Sequence, residues 1–112
     1  MTAEAVADRI AAHRFAYTCE RDLQDALAVL FPEACREVRL GAAGVIDLVV
    51  GRVGVEVKVD GSMPAVARQV DRYARSGLLD AVVVVTNRAK HRAVAGVVTA
   101  VPVTVVHVGA GL

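Results

Sequence analysis

Residues 46–59 read "IDLVVGRVGVEVKV". Apolar residues alternate with others on both sides of Gly51-Arg52, and glycine suits the first position of a two-residue type II′ hairpin loop. That loop sets Val50 opposite Val53 and Asp47 opposite Glu56. Ile46, Leu48, Val50, Val53, Val55, Val57 and Val59 then fall on one face, with Asp47, Glu56, Lys58 and Asp60 on the other. A four-residue loop over 51–54 keeps the same faces, whereas a three-residue loop turns Asp47 away from Glu56 and spoils the partition. Three charges within so apolar a stretch are costly unless paired or gathered round an ion, so the hairpin is a candidate site.

Working outward, residues 3–13 read as a helix with Val6 and Ile10 four apart. The stretch from Phe15 to Thr18 weakens that pattern, and Thr18 can cap a second helix over about 18–31. Leu23, Ala26, Leu27 and Leu30 form its apolar stripe, and Pro32 ends it. Glu20 lies one turn before Leu23 on that stripe, where an apolar residue is expected, although the helix dipole also favours an acid in a first turn. Residues 35–40 read as a short strand before the Gly41–Gly44 turn. After the hairpin, Pro64 opens a helix of about 64–76 with Val66, Val70 and Ala74 inward and Gly77 as its stop. "DAVVVVT", 80–86, reads as a buried strand, Asn87 caps a short helix over 88–96, and "VPVTVVHV" is a last strand. This order predicts a single α/β domain over 1–112, with helices flanking a mixed sheet.

Size and composition agree with that expectation. The 112 residues, 55% hydrophobic and 22% charged, suit one folded domain with a modest core. No apolar run reaches the roughly 18–20 residues of a membrane span, and "MTAEAVADRIAAHR" lacks the basic start and apolar middle of a signal peptide, so a cytoplasmic protein away from membranes is expected. Cys19 and Cys35 read as free thiols, with no CxxC spacing to hold a metal. His13, His91 and His107 are far apart and read as surface or strand-edge residues. Net charge is only +1, yet Arg68, Arg72 and Arg75 cluster in one segment and Arg88, Lys90, His91 and Arg92 in another. Such clusters can meet phosphates, or can simply be solvated faces. With no Trp, two Phe and two Tyr, base stacking is a poor basis for recognition, and arginine contact with a sugar–phosphate backbone is the better one.

The hairpin charges suggest a chemistry. Asp47 and Glu56 opposite each other place their Cβ atoms ~5 Å apart, with Lys58 on the diagonal. Two carboxylates that close repel unless a cation joins them, and hard oxygen ligands suit Mg²⁺ or Mn²⁺. A lysine beside a water on such an ion can orient it or stabilise charge developing on phosphorus, which fits phosphodiester hydrolysis. The plainer alternative is a solvated sheet face on which Lys58 pairs both acids. Gln69 and Tyr73, four apart, share a face of the following helix beside Arg72.

Glu20, Asp47, "EVK" at 56–58 and "QVDRY" at 69–73 together resemble the PD-(D/E)XK nuclease superfamily. The predicted αβββαβ order is similar to its restriction-endonuclease-like core over about residues 18–86, and the Gln-x-x-x-Tyr pair is similar to its RecB-type and phage exonuclease branch. Archaeal Holliday-junction resolvases also belong to the superfamily. The resemblance implies that Glu20, Asp47, Glu56 and the Val57 carbonyl bind the metal, that Lys58 acts on the attacking water, and that Gln69 and Tyr73 position the scissile strand and support the site. Arg14, Arg21, Arg68 and Arg72 are the candidate DNA contacts, although a solvated helix face explains Arg14 and Arg21 equally well. Ile46 stands where many members have proline, and the four cysteines of an iron–sulfur branch are absent, so no such cluster is expected. The implied activity is Mg²⁺-dependent DNA cleavage in repair, recombination or phage DNA processing. It could be exonuclease or flap cleavage, or endonuclease action on branched DNA such as Holliday junctions. So small a domain is expected to work as a homodimer, a larger homo-oligomer or with a partner protein. An inactive DNA-binding or assembly module, and a structural domain with coincidental acids, are the readings from other classes.

Overall fold

In the computed structural model, which describes residues 1–109, the valine-rich hairpin forms the centre of a five-stranded mixed sheet. The strands are β1 (Cys35–Arg39), β2 (Val45–Val50), β3 (Val53–Lys58), β4 (Ala81–Thr86) and β5 (Val103–His107), adjacent in that order. The first three run antiparallel; β3–β4 and β4–β5 are parallel. Parallel neighbours need crossovers. Helix α3 (Met63–Ala74) makes the first and a 3-10 segment, Ala89–Gly96, the second. Both step across the sheet in the same direction, so right-handed connections put them on one face. Val66, Val70 and Tyr73 of α3 and Val94 of the 3-10 segment accordingly share a core cluster with Val82 and Val84. Helices α1 (Ala3–Ala11) and α2 (Glu20–Leu30) cover the other face, packing Val6, Ile10, Leu23 and Leu27 on Val55, Val57, Val83 and Val85.

The turn chemistry explains the central register. Gly51 has φ 61° and Arg52 keeps a negative φ, as a type II′ turn requires. Pairing then runs Val50↔Val53, Val49↔Gly54 and Leu48↔Val55. Gly54 is the smallest residue at the tightest point. A Cβ there would lie 2.6 Å from Ile46 Cδ1 and 2.7 Å from Leu79 Cδ1, so α3 and its following loop close down only on a residue without a side chain.

Several expected details differ. Helix α2 starts at Glu20, with Cys19 at its N-cap and no side-chain cap bond. Thr18 instead sends its amide and hydroxyl to Asp22 Oδ2, at 3.0 and 2.8 Å, which holds the Asp22 carboxyl below its usual pKa. Helix α3 begins earlier than Pro64 because the Ser62 hydroxyl accepts from the Ala65 amide and serves as its cap. The segment after β4 is 3-10 rather than α, with Arg88 and not Asn87 at its cap position. Ile46 packs with the α3-side cluster, whereas Leu48 and Val50 pack with the α1/α2 side, so the clean alternation across β2 breaks just before Asp47.

Candidate active site

That break creates the site. Beyond Leu48↔Val55 the β2–β3 ladder stops. In place of a backbone carbonyl, the Val57 amide finds Asp47 Oδ2 at 2.7 Å. The Asp47 amide donates to Glu56 Oε1 at 3.3 Å. Each acid thus closes the hydrogen bonding of the opposite strand, and both carboxylates are held at the mouth of the parted hairpin. On the outer side the distortion continues. Arg36↔Leu48 and Val38↔Ile46 pair, the Glu37–Asp47 pair between them does not, and Glu37 takes φ 51°. A left-handed non-glycine residue here is a strained position opposite Asp47.

Side chains from both layers complete the cluster. Lys58 Nζ lies 3.3 Å from Glu56 Oε2, so Lys58 pairs one acid and not both. Gln24, one turn after Glu20 on α2, donates to Asp47 Oδ1 at 3.1 Å. Glu20, at the start of α2, accepts from the Val59 amide at 3.2 Å and faces Asp47 closely enough for its charge to act there. Glu56 is 2 % exposed. Burial, then repulsion by Asp47, pushes its carboxyl up to about 8, against the pull of Lys58. Burial raises the Asp47 carboxyl as well, and Glu20 adds repulsion.

The α3 pair sits behind these acids. The Tyr73 hydroxyl donates to the Val45 carbonyl at 2.8 Å and accepts from Gln69 Nε2 at 2.8 Å. It therefore pins the start of β2, two residues before Asp47. Desolvation and the nearby Glu56 charge lift Tyr73 to about 12, so it stays a neutral hydrogen-bonding group.

The candidate arginines are dispersed. Arg21 is exposed and pairs Glu37 at 3.2 Å. Arg72 lines a groove of about 440 Å³ with Arg75 and the Gly41–Ala43 turn. Arg14 and Arg68 are exposed and form no ion pair among the described residues. His91 is not a surface residue: it is fully buried, between Thr86 Oγ1 and the Gly61 carbonyl, each 2.7 Å away. His13 and His107 are exposed, as are Cys19 and Cys35, both free thiols. Gln24 is a site residue that the sequence reading missed, although its place one turn after Glu20 could have signalled it. The buried role of His91 was not legible, because the Thr86 hydroxyl that receives it comes from a strand that reads as uniformly apolar.

Carboxylate oxygens are the donor type that a hard divalent cation takes. Among the described residues no group of three or more His, Cys, Asp and Glu side chains is placed so that it could hold a metal ion. Yet each carboxylate oxygen keeps a second lone pair beyond the contacts above. Burial raises both carboxyls, Glu20 adds repulsion on Asp47 and Asp47 on Glu56, and a nearby cation relieves such repulsion. Val57 sends its amide toward β2, and an extended residue sends its carbonyl to the same side, so that oxygen faces the gap too. Among the described residues no helix is long and apolar enough to cross a membrane. Comparison with protein-family models, with curated proteins and with solved structures returns no match to this chain.

Proposed function

We propose that the chain is a metal-dependent DNA nuclease of the PD-(D/E)XK type, hydrolysing phosphodiester bonds with Mg²⁺, for which Mn²⁺ substitutes. The observation that carries the reading is the meeting of Asp47, Glu56, Lys58 and Glu20 where β2 and β3 part. The antiparallel β1–β2–β3 meander followed by α3 and a parallel β4 is the order expected of that core. Asp47, Glu56, the Val57 carbonyl and Glu20 would hold the ion, which supplies Lewis-acid stabilisation of the phosphate and a more acidic water.

The chain's own residues then divide the work. Lys58, about one-fifth exposed, reaches from the buried acids to solvent and so can orient a water and its charge against a phosphate. Gln24 and the Val57 amide fix the Asp47 rotamer. Tyr73 positions β2 from behind, and Gln69, half-buried beside it, is the member of that pair able to turn toward a strand. DNA is the proposed partner, in repair, recombination or phage DNA processing, through either end-dependent or branched-DNA cleavage.

The test is cleavage of labelled single-stranded, duplex, flapped and four-way-junction DNA with Mg²⁺, Mn²⁺ or EDTA. Asp47→Ala and Lys58→Ala should each abolish metal-dependent cutting while remaining folded. A requirement for a free end identifies an exonuclease; cutting of a circular strand or an intact junction identifies an endonuclease. Variants that cut as well as the wild type refute the assignment.

A further inference from the structure

The basic segment after β4 lies beside the candidate site. Thr86, the last residue of β4, is in register with Lys58. Two residues on, Arg88 reaches back across the β3 terminus, and its Nε donates to the Val59 carbonyl at 2.8 Å. The amide of that same Val59 is bound by Glu20, so Glu20 and Arg88 both grip the residue immediately after Lys58.

Arg88 is held there by a buried brace. Its amide donates to Thr86 Oγ1 at 3.0 Å. The Gly61 carbonyl can only accept, so His91 Nε2 carries the ring proton. In the Nε2–H tautomer Nδ1 accepts from the Thr86 hydroxyl. The chain of bonds from Arg88 through Thr86 and His91 to Gly61 is fully satisfied and ties the loop after β3 to the loop after β4.

With Nε on Val59, the end-on edge of the Arg88 guanidinium, formed by its two terminal amino groups, is left as a fork that suits a phosphate. Arg88 is exposed and forms no ion pair among the described residues, and exposed Lys90 and Arg92 follow it. This cationic ridge stands at the carboxyl ends of the parallel strands β3 and β4, the end at which open α/β sheets receive ligands. We propose that Arg88 binds a backbone phosphate of the DNA strand whose neighbouring phosphodiester lies at Lys58, and that Lys90 and Arg92 continue the track. This deepens the nuclease reading and rests on it for the choice of DNA as ligand.

The test measures binding of the whole chain to a labelled DNA oligonucleotide in EDTA, between about 50 and 200 mM salt. Arg88→Gln removes the charge but keeps a donor for the Val59 carbonyl. It should weaken binding about tenfold at low salt, and the log–log salt slope should fall by about 1. Arg36→Ala, which loses an arginine paired to Asp25 elsewhere on the surface, should bind as the wild type does. A melting curve shows that each variant is folded, and Arg88→Lys should recover most of the slope. If the wild type cuts DNA while Arg88→Gln binds with unchanged affinity and slope, the phosphate role is overturned and the nuclease reading stands. If Arg88→Gln weakens binding but no metal supports cutting, the phosphate role stands and the nuclease reading falls. If the wild type neither binds nor cuts, both fall.

Discussion

Glu56 should govern how the metal-free protein responds to pH. Its carboxyl is pushed from 4.5 up to about 8 by burial and the Asp47 charge. Between those values the folded chain keeps a proton that the unfolded chain has lost, so stability falls as pH rises. Full stability is present below about 4.5, and the loss is complete above about 8. At about 1.4 kcal/mol per pH unit, an interval of about 3.5 units sets a ceiling of about 5 kcal/mol. That is comparable to the whole stability of a small domain. Glu56→Gln keeps the shape and an acceptor for the Asp47 amide but cannot ionise. Urea melts in EDTA from about pH 5 to pH 9 should show the wild-type midpoint falling more steeply than that of the variant, in which the raised Asp47 carboxyl remains. Near pH 8.5 the variant should be the more stable protein by roughly 2–5 kcal/mol. Mg²⁺ at about a hundred times its Kd should return about 2.7 kcal/mol to the wild type and much less to the variant. Parallel pH profiles for the two proteins in EDTA would refute the reasoning, because Glu56 would then ionise without cost to the fold.

Other outcomes follow from the packing. Gly54→Ala forces a methyl group against Ile46 and Leu79, so calorimetry should show a loss of about 1–3 kcal/mol with the fold retained; an unchanged melting temperature would contradict the close approach. Tyr73→Phe leaves the Val45 carbonyl and the Gln69 amide without their shared hydroxyl and should cost about 1–3 kcal/mol in denaturant titrations; a neutral substitution would mean that β2 needs no such anchor. A homodimer or larger assembly is expected by light scattering, and a clean monomer at all concentrations would dismiss it.

The sheet was legible because its signals are local. A period of two on either side of one glycine fixes the pairing next to the turn, from Val50↔Val53 to Leu48↔Val55, but the expected Asp47–Glu56 ladder pair and the shared face of Ile46 and Leu48 do not form. Helix capping was less legible, since Thr18, the better capping residue, is engaged by Asp22 and leaves the N-cap position to Cys19, and boundaries move by a residue or two. Asp47, Glu56 and Lys58 could be singled out as charges in an apolar run. Their environment could not. The parting of β2 from β3, which turns Ile46 to the other core and lets Asp47 take the Val57 amide, accompanies the unpaired, left-handed Glu37 on β1, a long-range arrangement that no local pattern announces. The Thr86–His91 brace was equally hidden, since both partners look ordinary until the crossover brings them together.

The kink at Glu37 also affects the outer rim of the sheet. An exposed edge strand offers a row of unpaired amides and carbonyls on which another chain can grow. In β1 the left-handed residue at the centre leaves only Cys35–Arg36 and Val38–Arg39 as regularly paired runs. Arg36, Glu37 and Arg39 on that short strand are charged and exposed. Two-residue runs interrupted by charge make a poor template for fibril-like stacking. The distortion that opens a gap for Asp47 therefore also protects this valine-rich chain from aggregating through the β1 edge.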